Sequence, residues 1–199
     1  MTVVTSGVVL SRKKHREWDR MVTLYTKDFG KIQARFSGVD RPRGKLKALA
    51  EPIVCAEYRL YMRQLGAPAV VTGGSLTHSF PRLRQNFDAL MGALEICEAL
   101  ARVAADSSPN PEKYELLVHC LEELDRAPSA SIATRFGVKL LELAGLDLHP
   151  APQESDMIHS GRWTQLKWRV EQAIEHQSER PLNTRLTRES MQRFAEATQ

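Results

Sequence analysis

Ten basic residues within 36 positions carry the strongest chemical signal in this chain. Arg12, Lys13, Lys14 and Arg16 form one group, Lys31 and Arg35 a second, and Arg41, Arg43, Lys45 and Lys47 a third. Side chains of this type at this density neutralise phosphates and release their counterions. The chemistry open to them is electrostatic binding of a polyanion, with an affinity that falls as salt rises. The charge is unevenly spread. Residues 1–85 hold 16 Lys and Arg against 6 Asp and Glu, whereas residues 86–199 hold 12 against 18. The basic part is therefore the candidate for a nucleic acid, and the mildly acidic remainder for scaffolding or for meeting proteins.

Other chemistries find less support. The three cysteines, Cys55, Cys97 and Cys120, are far apart, odd in number and on apolar faces. That argues against a disulfide framework or a thiol nucleophile and fits a reducing cytoplasm. Zinc wants clustered ligands, and the only adjacent pair, His119-Cys120, points about 100° apart on a helix, so no metal is expected. There is no G-x-S-x-G, no H-E-x-x-H and no Gly-rich phosphate loop. Gly73-Gly74 reads as a strand bend, and Glu122-Glu123 as solvated helix surface. No enzyme and no cofactor are expected. The start, Met1-Thr2-Val3-Val4-Thr5, lacks signal-peptide character, and no apolar run approaches the ~20 residues that cross a bilayer.

The basic groups need elements to position them. Gly7 to Leu10 is a β-type run that ends in the polar cluster Ser11 to Glu17. Met21 to Thr26 is rich in β-branched residues, and Lys27-Asp28-Phe29-Gly30 supplies a turn. Lys31 to Ser37 alternates strictly. Ile32, Ala34 and Phe36 point inward, and Lys31, Gln33, Arg35 and Ser37 form a wet, basic face. Asp40 to Lys47 is a Pro- and Gly-broken loop. Ile53 to Met62 is a further strand, and Ala69 to Thr77 a last one, bent at Gly73-Gly74. Five short strands in under 80 residues predict a small closed barrel. An OB-type barrel is the first choice, and an SH3-like one fits the pattern too. Tyr25, Phe29 and Phe36 are the aromatic candidates for base stacking, with Phe29 in its turn the exposed one.

From about Phe80 the period becomes helical. Leu83, Phe87, Leu90, Met91, Leu94, Cys97 and Ala101 recur at three- and four-residue spacing. Asn110-Pro111-Glu112 starts a second helix, with Asn as cap and Pro at the first position. A third runs from about Ser129 or Ser131 to Ala144 and stops at Gly145. His149 to His159 is a polar linker. Trp163 to Ile174 marks a fourth helix, and Thr187 caps a short fifth containing Met191 and Phe194. The fold class is α+β: residues 1–78 an OB-type nucleic-acid-binding barrel, residues 79–199 an all-helical domain.

Several stretches resemble the DNA repair protein RecO family. Gly7-Val8-Val9-Leu10-Ser11-Arg12, with Glu17 and Asp19 following, then Met21 through Lys31, is similar to that family's opening. Ala34-Arg35-Phe36-Ser37-Gly38 and the basic loop with Lys45-Leu46, Ala48-Leu49 and Pro52 follow in order. Arg135 to Leu146 resembles a helix of the family's second domain, and Arg180-Pro181-Leu182-Asn183-Thr184-Arg185 its C-terminal signature. The resemblance implies an OB fold, a helical domain, and binding of single- and double-stranded DNA. It further implies strand annealing and recombinase loading on strands coated by single-stranded DNA-binding protein, with RecR as partner. By position it puts Lys31 and Arg35 on the DNA-binding surface. Many relatives carry a four-cysteine zinc module after the third helix. His149-Pro150-Ala151-Pro152-Gln153 stands there instead, so zinc is not expected.

The sequence thus predicts a RecO-like recombination mediator. Its helical domain would take the tail of single-stranded DNA-binding protein in an apolar groove with basic residues nearby. The rival is a protein-interaction scaffold whose barrel has lost DNA binding.

Overall fold

The computed structural model describes residues 1–64, 66–146, 148 and 163–197. Five strands, β1 (Thr2–Lys14), β2 (Arg20–Thr26), β3 (Gly30–Phe36), β4 (Cys55–Tyr61) and β5 (Ala69–His78), form a closed barrel in the order β1-β2-β3-β5-β4. All pairs are antiparallel except β3 with β5, which meet in parallel at Ala34 opposite Ala69 and Arg35 opposite Val70. This is the OB-type order. Alternation sends Val9, Val22, Leu24, Ile32, Ala34, Phe36, Tyr58 and Leu60 into the barrel. Phe36 meets Tyr58 edge-on, with ring centroids 6.2 Å apart. The Tyr58 hydroxyl donates to the Leu49 carbonyl at 3.0 Å, so the loop after β3 is stitched over the interior.

β1 differs from expectation, and β5 carries the irregularity expected near Gly73. β1 runs through Lys14 rather than stopping at Leu10, because it changes partner along its length. Residues 2–8 pair with β4 and residues 7–14 with β2, and a register shift at Leu10 accommodates the bend. Long-range pairing overrides the polar composition of Ser11 to Lys14. β5 is continuous, and its extra residue beside Gly73 is Thr72, skipped between the pairs Leu60–Val71 and Arg59–Gly73. Gly74 is required by close approach, since a Cβ there would lie 2.4 Å from the Glu57 carbonyl oxygen.

The helices are α1 (Phe87–Val103), α2 (Pro111–Arg126), α3 (Ala130–Leu143), α4 (Trp163–Ser178) and α5 (Asn183–Ala197). Asn86 and Asn110 cap α1 and α2, accepting the backbone N–H of Ala89 and of Lys113 at 2.9 Å each. Ser129 caps α3. The expected linker from His149 to His159 lies outside the described residues. α5 starts earlier than expected. Thr187 is inside it, with its hydroxyl donating back to the Asn183 carbonyl at 2.9 Å. The cap comes from another helix: Glu98 of α1 accepts the backbone N–H groups of Asn183 and Thr184, each at 2.9 Å. Among the described residues no helix is long and apolar enough to cross a membrane.

A second core lies between the helices, built on Leu100, Leu117, Leu121, Phe136, Leu140 and Leu166. The outer face of the barrel contributes Val8, Leu10, Tyr25, Ile53 and Cys55 to it. Alternation along β1 therefore feeds two cores: Val9 turns into the barrel, and Val8 and Leu10 into the helices.

Candidate nucleic-acid interface

The pairing register assembles part of the basic surface. Lys13 stands opposite Met21, Met21 opposite Arg35, and Arg35 opposite Val70. Directly opposed residues share a face, so Lys13 and Arg35 emerge on the same side, two strand spacings or roughly 10 Å apart. Arg12 and Lys14 alternate to the other side of β1, at the rim. Arg16 is exposed in the β1–β2 loop.

The third group is drawn to the first by hydrogen bonds between loops. The Asp40 backbone N–H donates to the Trp18 carbonyl at 3.2 Å. The Gly38 N–H donates to the Asp19 carboxylate at 2.8 Å, and Arg20 pairs with Asp40 at 2.6 Å. The loop after β3 is thereby fastened to the β1–β2 loop. Overlapping turns, Arg41 N–H to the Gly38 carbonyl at 3.2 Å and Gly44 N–H to the Arg41 carbonyl at 2.9 Å, leave Arg41, Arg43, Lys45 and Lys47 exposed. Among the described residues no carboxylate pairs with Lys13, Lys14, Arg16, Arg41, Arg43, Lys45 or Lys47. Their charge is available to a ligand. Arg12 is held by Glu51 at 2.6 Å, and Arg35 lies 3.9 Å from Asp19.

Lys31 is a correction to the expected wet face of β3. Its ammonium donates to the Ala101 carbonyl near the C-terminus of α1 at 2.8 Å and pairs with Asp106 at 3.3 Å. Its side chain is only 15% exposed. Lys31 is opposite Tyr25, in the part of the outer face covered by helices, whereas Arg35 occupies the open part. The stacking candidates also move. Tyr25 and Phe36 are fully buried, and Phe29 packs against the barrel core.

Sequence reasoning missed two residues here. Trp18, in the β1–β2 loop, is 40% exposed. An aromatic residue inside the run Arg16-Glu17-Trp18-Asp19 was the available signal. Arg63 is exposed in the β4–β5 loop, which approaches Arg35 from the β5 side because Ala69 and Val70 pair with Ala34 and Arg35. The first and last interstrand loops of OB barrels commonly flank the oligonucleotide-binding face, which was the signal for Arg63.

The thiols are poor nucleophiles. Burial pushes Cys55 and Cys97 up to about 12 and Cys120 to about 11, and all three are buried and free. Among the described residues no group of His, Cys, Asp and Glu could hold a metal ion. The segment compared with the zinc module, His149 to Gln153, lies outside them.

On the helical side Phe87, Met91, Ala133 and Met191 line an open groove of about 570 Å³, with Lys167 and Arg188 beside it. Both cations are engaged. Lys167 pairs with Glu95 at 3.0 Å, and Arg188 pairs with Glu95 and, at 3.1 Å, with Glu171.

Comparison with known proteins gives a consistent picture. A family model described as recombination protein O N terminal matches residues 1–80, and one described as recombination protein O C terminal matches residues 84–150. The DNA repair protein RecO of Dehalococcoides mccartyi is 31% identical over 142 residues, 71% of this chain and 55% of that protein. Those of Desulfitobacterium hafniense and Listeria welshimeri are 29% and 27% identical over 139 and 143 residues, 70% of this chain in each case and 50% and 54% of theirs. The chain spans about half the length of the curated relatives it matches.

Proposed function

The chain belongs to the recombination protein O family, and we propose from that membership and the barrel's charge that it is a DNA-binding recombination mediator. The barrel holds the sugar–phosphate backbone through Lys13, Lys14, Arg16, Arg35, Arg41, Arg43, Lys45 and Lys47, with Arg12 at the margin and Lys31 as structural support. The single observation that carries this reading is the joining of two basic loops by Asp19 and Asp40, with their other cations left without carboxylate partners among the described residues. Binding of this kind is sequence-tolerant, because phosphate contacts position a strand and do not read it.

In the same reading the protein anneals complementary strands and helps load recombinase on strands coated by single-stranded DNA-binding protein, with RecR as partner. The tail of single-stranded DNA-binding protein would lie in the groove beside Phe87 and Met91. It must compete with Glu95 for the charges of Lys167 and Arg188. No catalytic step is assigned to the chain.

The test is anisotropy of a labelled dT oligonucleotide at several salt concentrations. The logarithm of affinity should fall linearly with the logarithm of salt, by about 0.7 for each phosphate contacted. Arg41→Glu with Arg43→Glu should weaken all sequences alike. Affinity that is flat with salt would remove this reading and favour the scaffold. That alternative draws on the carboxylates already engaging Arg12, Arg20 and Arg35.

A further inference from the structure

We infer that Trp18 is a base-stacking platform that makes the barrel prefer single-stranded over duplex DNA; this rests on the DNA-binding reading above and adds a specificity-determining residue to it. A lone exposed apolar side chain needs no explanation. Trp18 differs in its setting. Of the barrel's large exposed apolar residues, Met1, Val4, Trp18, Tyr61 and Leu76 among those described, Trp18 stands inside the basic loops, whereas Tyr61, opposite Val70, shares the face of Arg35 from β4. Arg16 and Lys14 stand two and four residues before Trp18, with Glu17 and Asp19 on either side of it. Across its backbone bond to Asp40 lie Arg41 and Arg43.

The backbone that carries the indole is also held in place. The Trp18 carbonyl accepts the Asp40 N–H at 3.2 Å, and the next residue, Asp19, accepts the Gly38 N–H at 2.8 Å. The backbone N–H groups of His15 and Arg16 both donate to the Asp19 carbonyl, at 3.1 and 3.4 Å, which closes the loop. A π face on a fixed loop costs little entropy to offer. Every base has a face to match it, so stacking is sequence-tolerant. In a duplex the base faces are already stacked on one another, and only the phosphates remain for the surrounding cations.

The experiment compares three ligands of equal length: a dT oligonucleotide, its abasic counterpart with the same phosphate count, and a duplex, which carries twice the phosphates. The wild-type protein should bind dT more tightly than the abasic strand and should lose tryptophan fluorescence on binding. Trp18→Ala should weaken dT binding by at least roughly fivefold and leave abasic and duplex binding unchanged. Trp18→Phe should keep most of the dT preference and lose most of the quenching, because Trp163 and Trp168 lie on α4. Equal wild-type affinity for dT and abasic strands overturns the inference without any variant. So does a dT preference that survives Trp18→Ala. In both cases salt-dependent binding persists and the DNA-binding reading stands. A wild-type protein that binds none of the three ligands overturns both.

Discussion

Lys31 and Arg35 have the same outward parity on β3, yet Lys31 is 15% exposed and Arg35 32%. Lys31 donates to the Ala101 carbonyl near the C-terminus of α1, where a cation meets the negative end of the helix dipole. Its pair with Asp106 adds little, because that carboxylate is 82% exposed. We expect Lys31→Ala to destabilise the protein by about 1.5–3 kcal/mol, the range for a hydrogen bond to a charged group, with DNA affinity at moderate salt nearly unchanged. Arg35→Ala with Lys13→Ala should reverse the pattern. Chemical denaturation should show little loss, while oligonucleotide affinity falls and its salt slope shrinks by about 0.7 per lost contact. Alternation in Lys31 to Ser37 was enough to find the parity. It carried no information on which half of the face the helices cover.

At the level of elements, two joints decide how the pieces sit. Gly30, in the turn between β2 and β3, has φ 64°, and a Cβ there would lie 2.2 Å from the Ser108 carbonyl oxygen. The segment after α1 packs directly on this turn, and the Ser107 N–H donates to the Lys31 carbonyl at 2.8 Å. Gly30→Ala meets both left-handed strain and a backbone clash. It should cost about 2–4 kcal/mol in a denaturant titration, whereas a strain-only effect would stay near 1 kcal/mol. The second joint is Glu98 against α5. Burial alone would raise its pKa, but the N–H groups of Thr184 and Asn183, the Thr184 hydroxyl and Arg102 outweigh burial and hold it below the usual carboxylate range. A carboxyl group with a lowered pKa in the fold stabilises above its unfolded pKa, and the contribution is lost as pH falls through the folded value. Stability measured from pH 6 downwards should therefore decline below about pH 4.5, the unperturbed carboxylate value. Glu98→Gln should remove that part of the decline and lower stability at neutral pH by about 1 kcal/mol, as expected for a weakened cap. The cap Asn110 and the start near Ser129 were legible because each is adjacent to its own helix. Glu98 was not, because it is 85 residues from the N–H of Asn183 that it accepts.

The whole molecule is two cores joined through one sheet face. Val8, Leu10, Tyr25, Ile53 and Cys55 lie on the outside of the barrel but inside the helical core. A fragment of residues 1–80 should expose this patch, bind a hydrophobic dye and aggregate, where the full chain does neither. Each large side chain uncovered forfeits about 1.5–3 kcal/mol of burial. Dye binding equal to that of the full chain would mean the barrel closes this face unaided. Much of this architecture can be read from one-dimensional pattern. The change from a period of two to one of 3.6 separates strands from helices, and the density of Lys and Arg marks the end of the chain suited to a polyanion. Such signals are local, arising from bonds and side chains within a turn or a pleat. Which cations converge is a different matter. Lys31 is taken up at the helical junction, while Arg41 and Arg43 are brought toward Lys13 and Lys14 through Asp19 and Asp40. Trp18 gains its setting in the same way. Those outcomes depend on strand register and on contacts between distant segments, which exist only once the barrel has closed and the helices have packed against it.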